Sequence, residues 1–148
     1  MFGIIWYNVC MGKKEDKQQN SGKIIIPANH PNPPEPHEVD TAMILARHFQ
    51  CVVEFIIPID DYKRKSADIL MQGIEWEIKS PYGASKSTIG NQFQFATKQS
   101  KNIILDTRRT KLDDENIRKK VLIEIKKRSS IKKVILVNKF ENVVEIKI

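Results

Sequence analysis

The sequence predicts one α/β (α+β) domain with a mixed central β-sheet flanked by helices. Apolar, β-branched runs of strand length recur along the chain, and three other stretches repeat apolar residues with helical spacing. The two kinds of segment alternate, which is typical of a sheet covered by helices. With 148 residues and 41% hydrophobic side chains, the chain is long enough to bury a core without disulfides or a structural metal.

The predicted elements follow one another as helix, strand, hairpin, helix, strand, helix, strand, strand. His37–Phe49 carries an apolar helical stripe, and Pro36 suits its first turn. Cys51–Ile59 is a β-branched strand, and Asp60–Ser66 is a charged loop that can form a flap. The elements after the hairpin are a helix from Ser85 or Ser87 to about Ser100, a strand at Asn102–Asp106, a basic helix from Asp113 or Asp114 to about Ser130, and strands at Lys133–Val137 and Val143–Ile148.

Residues 1–33 are predicted to be an N-terminal segment with a proline-rich linker, and residues 34–148 the domain proper. Met1–Met11 is apolar but too short to span a bilayer, so we expect no membrane span. Gly12–Gly22 is polar and charged, which is typical of a linker. The prolines between residues 31 and 36 favour an extended arm.

The charge balance indicates a polyanionic partner. Twenty-five Lys and Arg residues against 18 Asp and Glu residues leave a formal net charge of +7. Nucleic acid is the commonest partner of such a surface, and an anionic membrane is the weaker alternative. The two cysteines and three histidines lack metal-ligand spacing, which argues against a zinc site or a disulfide framework.

A hairpin around Gln72 and Gly73 carries the candidate catalytic residues. Residues 74–80 alternate strictly, so Glu77 and Lys79 share one face, and Asp68 on the preceding arm can reach them. Two carboxylates suit a hard divalent cation such as Mg²⁺, and a nearby lysine can orient or deprotonate a water. A solvent-facing strand with a Glu/Lys pair remains the alternative.

Donor-rich segments after the hairpin are candidate phosphate contacts. A loop of small and hydroxyl residues leads into a helix N-terminus, which favours anions. Paired arginines follow the next strand and suit bidentate phosphate binding. The predicted nucleic-acid-binding residues are Ser85, Lys86, Thr88, Gln92, Lys98, Arg108 and Arg109. The basic helix that follows is either a further nucleic-acid footprint or a solvated face.

These motifs resemble known nucleases. Asp68 followed by Glu77-Ile78-Lys79 after a glycine turn resembles the signature of the PD-(D/E)xK superfamily, although no proline precedes Asp68. From about Pro34 to the end, the chain is similar to the C-terminal nuclease domains of CdiA-type contact-dependent growth inhibition toxins. The residues that carry this second resemblance are 34–38 (Pro-Glu-Pro-His-Glu), 67–70 (Ala-Asp-Ile-Leu), 76–81 (Trp-Glu-Ile-Lys-Ser-Pro), Ser85, Lys86, Thr88, Ile89, 98–102 (Lys-Gln-Ser-Lys-Asn), Asp106, Arg108 and Arg109.

The resemblance implies a restriction-endonuclease-like fold and a metal-dependent nuclease, with tRNA as the favoured substrate. It adds Glu38 on the first helix to Asp68 and Glu77 as a metal ligand, with the helix dipole as the alternative role of Glu38. It also implies a cognate immunity protein, action in the bacterial cytoplasm and delivery from a secreted or cell-surface parent. Two alternatives stay open, which are a metal-independent ribonuclease toxin of the barnase, EndoU, colicin or RelE type and a non-catalytic nucleic-acid-binding module.

Overall fold

A computed structural model of the chain describes residues 4–8, 22–59 and 65–148. These residues contain eight strands and three helices. In chain order they are β1 (Ile4–Asn8), β2 (Lys23–Pro27), α1 (Pro36–Phe49), β3 (Val52–Phe55), β4 (Ile69–Met71), β5 (Ile74–Lys79), α2 (Thr88–Ala96), β6 (Asn102–Asp106), α3 (Asp114–Lys127), β7 (Lys133–Val137) and β8 (Val143–Ile146). The predicted linker at 12–22 and charged loop at 60–66 lie outside the described residues except at their last positions.

The strands form one mixed sheet in the order β1 to β8. β2 is parallel to β3, and β5, β6 and β7 are parallel to one another, whereas the other neighbouring pairs are antiparallel. This arrangement confirms the predicted mixed central sheet flanked by helices. Ile24 and Ile26 of β2 are buried in the core, so the sheet extends into the segment predicted to precede the domain.

The helices cover opposite faces of the sheet. Ile104 of β6 packs in the cluster that contains the buried residues of α1, and its neighbour Ile103 packs in the cluster of α2 and α3. Successive residues of a strand point to opposite faces, so β6 supplies side chains to both core layers. No helix in the described part of the chain is long and apolar enough to cross a membrane.

The hairpin forms as predicted, with small shifts at the strand ends. Gln72 and Gly73 have φ values of 53° and 75°, the left-handed conformation that a tight two-residue hairpin turn needs. β4 begins at Ile69, so Asp68 immediately precedes the strand. β3 is shorter than predicted and ends at Phe55.

The parallel strands β5, β6 and β7 end at the same edge of the sheet, because their registers pair Lys79 with Leu105 and Asp106 with Val137. The loops that follow β5 and β6 meet at this edge, where the hydroxyl of Thr110 donates to the Gly83 carbonyl oxygen at 2.5 Å. Ligands of α/β proteins commonly bind outside the carboxyl ends of parallel strands.

Candidate functional site

Asp68 and Glu77 lie side by side on the hairpin. The β4–β5 register pairs Ile69 with Trp76, which places Asp68 and Glu77 at the next opposing position. Oδ2 of Asp68 accepts a hydrogen bond from the main-chain N–H of Ile78 at 2.8 Å. β4 begins at Ile69, so no residue of β4 pairs with Ile78. The Asp68 side chain accepts the Ile78 N–H in place of a main-chain carbonyl of a neighbouring strand.

Lys79 completes the group. Its Nζ lies 2.7 Å from Oε1 of Glu77, with the Lys79 side chain 20% exposed. Glu77 itself is only 1% exposed. The two residues are separated by one position on a strand, so the pleat directs both side chains to the same face. The structure therefore brings together the three residues that the hairpin pattern selected.

Burial raises the pKa of both carboxyl groups. For Glu77, burial acts most strongly and the charge of Asp68 next, and Lys79 offsets them only in part, so the pKa rises from 4.5 to about 8. For Asp68, burial raises the pKa, the Ile78 N–H lowers it, and the charge of Glu38 raises it further. Near pH 7 the pair therefore needs a proton or a cation to limit its charge.

The second oxygen of Glu77 lacks a donor. Apart from the neighbouring carboxyl group of Asp68, Oε2 has no hydrogen-bond partner among the described residues. A buried acceptor left in this state costs on the order of 1–3 kcal/mol. Adjacent carboxylate oxygens are the ligands that Mg²⁺ prefers. The chemistry of the pair therefore fits a divalent cation.

Glu38 is engaged at the start of α1. Its Oε2 accepts a hydrogen bond from the main-chain N–H of Glu35 at 2.7 Å. This contact fits the alternative prediction, in which Glu38 stabilises the N-terminus of α1. Glu38 and Asp68 nevertheless line the same cavity. Within residues 22–59 and 65–148, no group of three or more His, Cys, Asp or Glu side chains is arranged to hold a metal ion. The structure thus assembles Asp68 with Glu77 and leaves Glu38 outside the pair.

The predicted anion-binding loop lies at the N-terminus of α2. Thr88 is buried, and its Oγ1 accepts a hydrogen bond from the main-chain N–H of Ser85 at 3.1 Å. Ser87 is the N-cap residue but makes no side-chain capping bond, and the first turn of α2 has no acidic residue. Lys86 is exposed beside this turn. The positive end of the helix dipole is therefore not neutralised by an acidic side chain of its own first turn.

Arg108 is held by a buried carboxylate. Asp106, 1% exposed at the end of β6, accepts hydrogen bonds from Nε and Nη2 of Arg108 at 3.0 and 2.7 Å. It also accepts one from the hydroxyl of Thr41 on α1. Arg108 was predicted to bind phosphate, and its pairing with Asp106 was not predicted. The signal was present, because an aspartate that ends a buried strand two residues before an arginine can pair with it.

The remaining predicted nucleic-acid contacts are spread along the helical face. Arg109 is exposed, with its guanidinium carbon 5.4 Å from the centre of the Tyr82 ring at the edge where β5 ends. Gln92 is half-buried within α2. Lys98 lies beyond the C-terminus of α2, over the Phe95 ring at 5.2 Å.

Comparison with known proteins assigns the chain to a family. The family described as the contact-dependent growth inhibition CdiA C-terminal domain matches residues 65–143, just over half of the chain. No curated protein sequence matches. A solved CdiA-CT/CdiI toxin and immunity complex from Burkholderia pseudomallei shares the fold, with a TM-score of 0.54, 19% sequence identity, and coverage of 75% of this chain and 82% of that chain. The family match includes Asp68, Glu77 and Lys79. The chain therefore belongs to the CdiA C-terminal domain family of contact-dependent growth inhibition toxins.

Proposed function

We propose that this toxin domain is a metal-dependent nuclease with tRNA as its favoured substrate. The observation that carries the proposal is the buried Asp68–Glu77 pair, which has a raised pKa, an acceptor oxygen without a donor, and Lys79 in contact. If the carboxylate pair served only to stabilise the fold, each of its oxygens would be expected to accept a hydrogen bond from the protein. Titratable groups perturbed in this way cluster at functional sites.

Asp68 and Glu77 would hold the cation, with Glu38 at the wall of the adjoining cavity as the third candidate ligand. When bound, Mg²⁺ polarises a phosphoryl oxygen and lowers the pKa of a coordinated water. The Ile78 N–H fixes the orientation of the Asp68 carboxylate. The Lys79 ammonium, which contacts Glu77, would donate a hydrogen bond to the attacking water or to the oxygen on which charge develops.

The surface around the pair supports a polyanionic substrate. Lys86 and Arg109 lie on the loops at the edge of the sheet where β5 ends. α3 adds an exposed basic face with Lys119, Lys126 and Lys127. The net charge of +7 favours a phosphate backbone at physiological salt. Membership of the CdiA C-terminal domain family favours tRNA within this class.

A cognate immunity protein is the expected second partner. The related Burkholderia chain was solved as a toxin and immunity complex. For the present chain, we propose an acidic immunity protein that covers the basic edge of the sheet, since complementary charge speeds association and selects the partner. The toxin would act in the bacterial cytoplasm after delivery from a cell-surface parent protein.

The function is tested by incubating purified protein with total tRNA and with plasmid DNA, with Mg²⁺ or with excess EDTA. We expect new tRNA ends in Mg²⁺, none in EDTA, and none with Glu77→Gln or Lys79→Ala. Glu75→Gln, two residues earlier on the same strand and exposed, is the matched control and should cut like the parent.

The outcomes separate the alternatives. Cleavage that persists in EDTA would favour a metal-independent ribonuclease. A parent that binds tRNA but cuts neither substrate, with Glu77→Gln binding equally well, would favour a non-catalytic nucleic-acid-binding module.

A further inference from the structure

A cavity of about 290 Å³ adjoins the carboxylate pair. Asp68 lines it and is at the same time the neighbour of Glu77. Its other walls come from the extended arm at residues 30–35, from Glu38 on α1, and from Phe55 at the end of β3 with the segment that follows it. Any group that occupies this cavity therefore lies next to the proposed site of phosphodiester cleavage.

The arm is fixed in place by His30. The imidazole Nε2 lies 3.0 Å from the carbonyl oxygen of Ile56, which has no proton to donate, so Nε2–H is the donor. Nδ1 then accepts the main-chain N–H of Asn32 at 3.3 Å. The main-chain N–H of His30 donates to the Pro27 carbonyl oxygen at 3.0 Å. Nε2 therefore joins the arm to the segment after β3, and Nδ1 fixes the conformation of the arm itself, so this wall of the cavity is held in place before any ligand binds.

The lining is apolar on its broad surfaces and polar at a few points. Pro33, Pro34, Pro58 and the buried ring of Phe55 supply the apolar area. The volume of about 290 Å³ lies just below the range of about 300–1,000 Å³ that is typical of small-molecule sites. This space suits one planar ring system with its sugar and is too small for a base pair.

The polar lining consists mainly of acceptors. Glu35, Glu38 and Asp68 line the cavity with carboxylates, whereas both ring nitrogens of His30 are already bonded. One oxygen each of Glu38 and Asp68 accepts a main-chain N–H, which leaves the other oxygen of each as an acceptor for a ligand. Carboxylates accept hydrogen bonds from the exocyclic amino groups of bases. Adenine, cytosine and guanine carry such a group, and uracil presents carbonyl acceptors in its place.

We propose that this cavity binds one unstacked nucleobase of the substrate strand, beside the scissile phosphate, and favours amino-bearing bases over uracil. The proposal rests on the nuclease function proposed above. Proteins that read RNA sequence act mainly on unpaired bases that they can take out of the stack. The cavity would thereby select the nucleotide at which the nuclease cuts a single-stranded loop of the RNA.

The test is a titration, followed by NMR, of the full chain with AMP, CMP, GMP, UMP and ribose 5-phosphate in EDTA. AMP, CMP or GMP should bind at least about fivefold more tightly than ribose 5-phosphate, the lower end for one bound base, and at least about fivefold more tightly than UMP, the lower end for hydrogen-bond discrimination between bases. Asn32→Trp fills the cavity from an exposed position and retains the N–H that His30 accepts, so it should abolish this difference. Asn142→Trp, at an exposed position immediately before β8, is the matched control and should leave this difference intact.

Two results would overturn the proposal. One is binding of ribose 5-phosphate or UMP as tight as that of AMP, CMP and GMP, and the other is an unchanged nucleotide preference in Asn32→Trp. Asn32→Ala, which removes the amide without filling the cavity, should weaken nucleotide binding less than Asn32→Trp does. If the tryptophan variant does not fold, the NMR titration of the parent decides the matter, because nucleotide binding must shift the amide signals of Asn32 and Glu35, and unshifted signals would overturn the proposal. RNA cleavage by the same parent preparation reports separately on the nuclease function.

Discussion

Replacing Glu77 by glutamine should stabilise the cation-free protein at neutral pH. The folded-state pKa of Glu77, about 8, lies above the ordinary value of 4.5. Between these two pH values the folded state binds more protons than the unfolded chain, so the contribution of Glu77 to stability is fully present below pH 4.5 and is lost as the pH rises to 8. Glutamine has nearly the same shape as glutamate and carries no charge, so its burial at this position requires no protonation at neutral pH.

The magnitude follows from the size of the shift. At about 1.4 kcal/mol per pH unit, the 2.5 units between the ordinary value and pH 7 cost the parent on the order of 3 kcal/mol. Glu77→Gln should be more stable than the parent by this amount, which for a chain of this size corresponds to a rise in Tm of roughly 6–12 °C. At pH 5 the difference between parent and variant should fall below about 1 kcal/mol.

The assay is thermal unfolding of the parent, Glu77→Gln and the exposed control Glu75→Gln in EDTA, at pH values from 5 to 8. The control should stay within about 0.5 kcal/mol of the parent throughout. Adding Mg²⁺ should stabilise the parent and not Glu77→Gln, because only the parent keeps both carboxylates. A variant that is less stable than the parent at pH 7, or a difference that does not change with pH, would show that burial beside Asp68 does not raise the pKa of Glu77.

Three further predictions test the surrounding structure. Arg108→Ala leaves the buried Asp106 carboxylate without its ion pair and should lower the free energy of unfolding by about 3–5 kcal/mol. The control Arg109→Ala, at an exposed position, should leave the free energy of unfolding unchanged, and urea denaturation measures both variants. A Cβ on Gly22 would lie 2.0 Å from the Ala46 carbonyl oxygen, so Gly22→Ala should cost at least about 1–3 kcal/mol, and a neutral effect would show that this segment does not pack on α1. Lys86→Ala should lower the slope of log K against log salt for tRNA binding by about one unit without changing stability, and an unchanged slope would remove Lys86 from the interface.

The sequence was most informative where local chemistry determines structure. Strict alternation in β5 and the glycine turn before it were sufficient to place Glu77 and Lys79 on one face with Asp68 opposite. Asn102–Asp106 and Lys133–Val137 were predicted with the observed ends, because these central strands are continuous apolar runs.

The sequence was least informative where a role depends on distant partners. Two adjacent arginines indicated two phosphate ligands, but Arg108 pairs with a carboxylate that only the folded sheet and α1 bury. The role of His30 depends on Ile56, 26 residues away. The contribution of β2 to the sheet required a parallel pairing with β3 across the whole of α1, which no local pattern reports.

The most direct test of the carboxylate pair is calorimetric titration of the parent and Glu77→Gln with Mg²⁺ at pH 7, in two buffers of different ionisation enthalpy. Because Glu77 is protonated in the cation-free protein at this pH, we predict one saturable site in the parent and release of about one proton per cation bound. Both should be absent in Glu77→Gln. Equal binding by the two proteins, or no saturable binding by the parent, would contradict the assignment of Asp68 and Glu77 as a cation site.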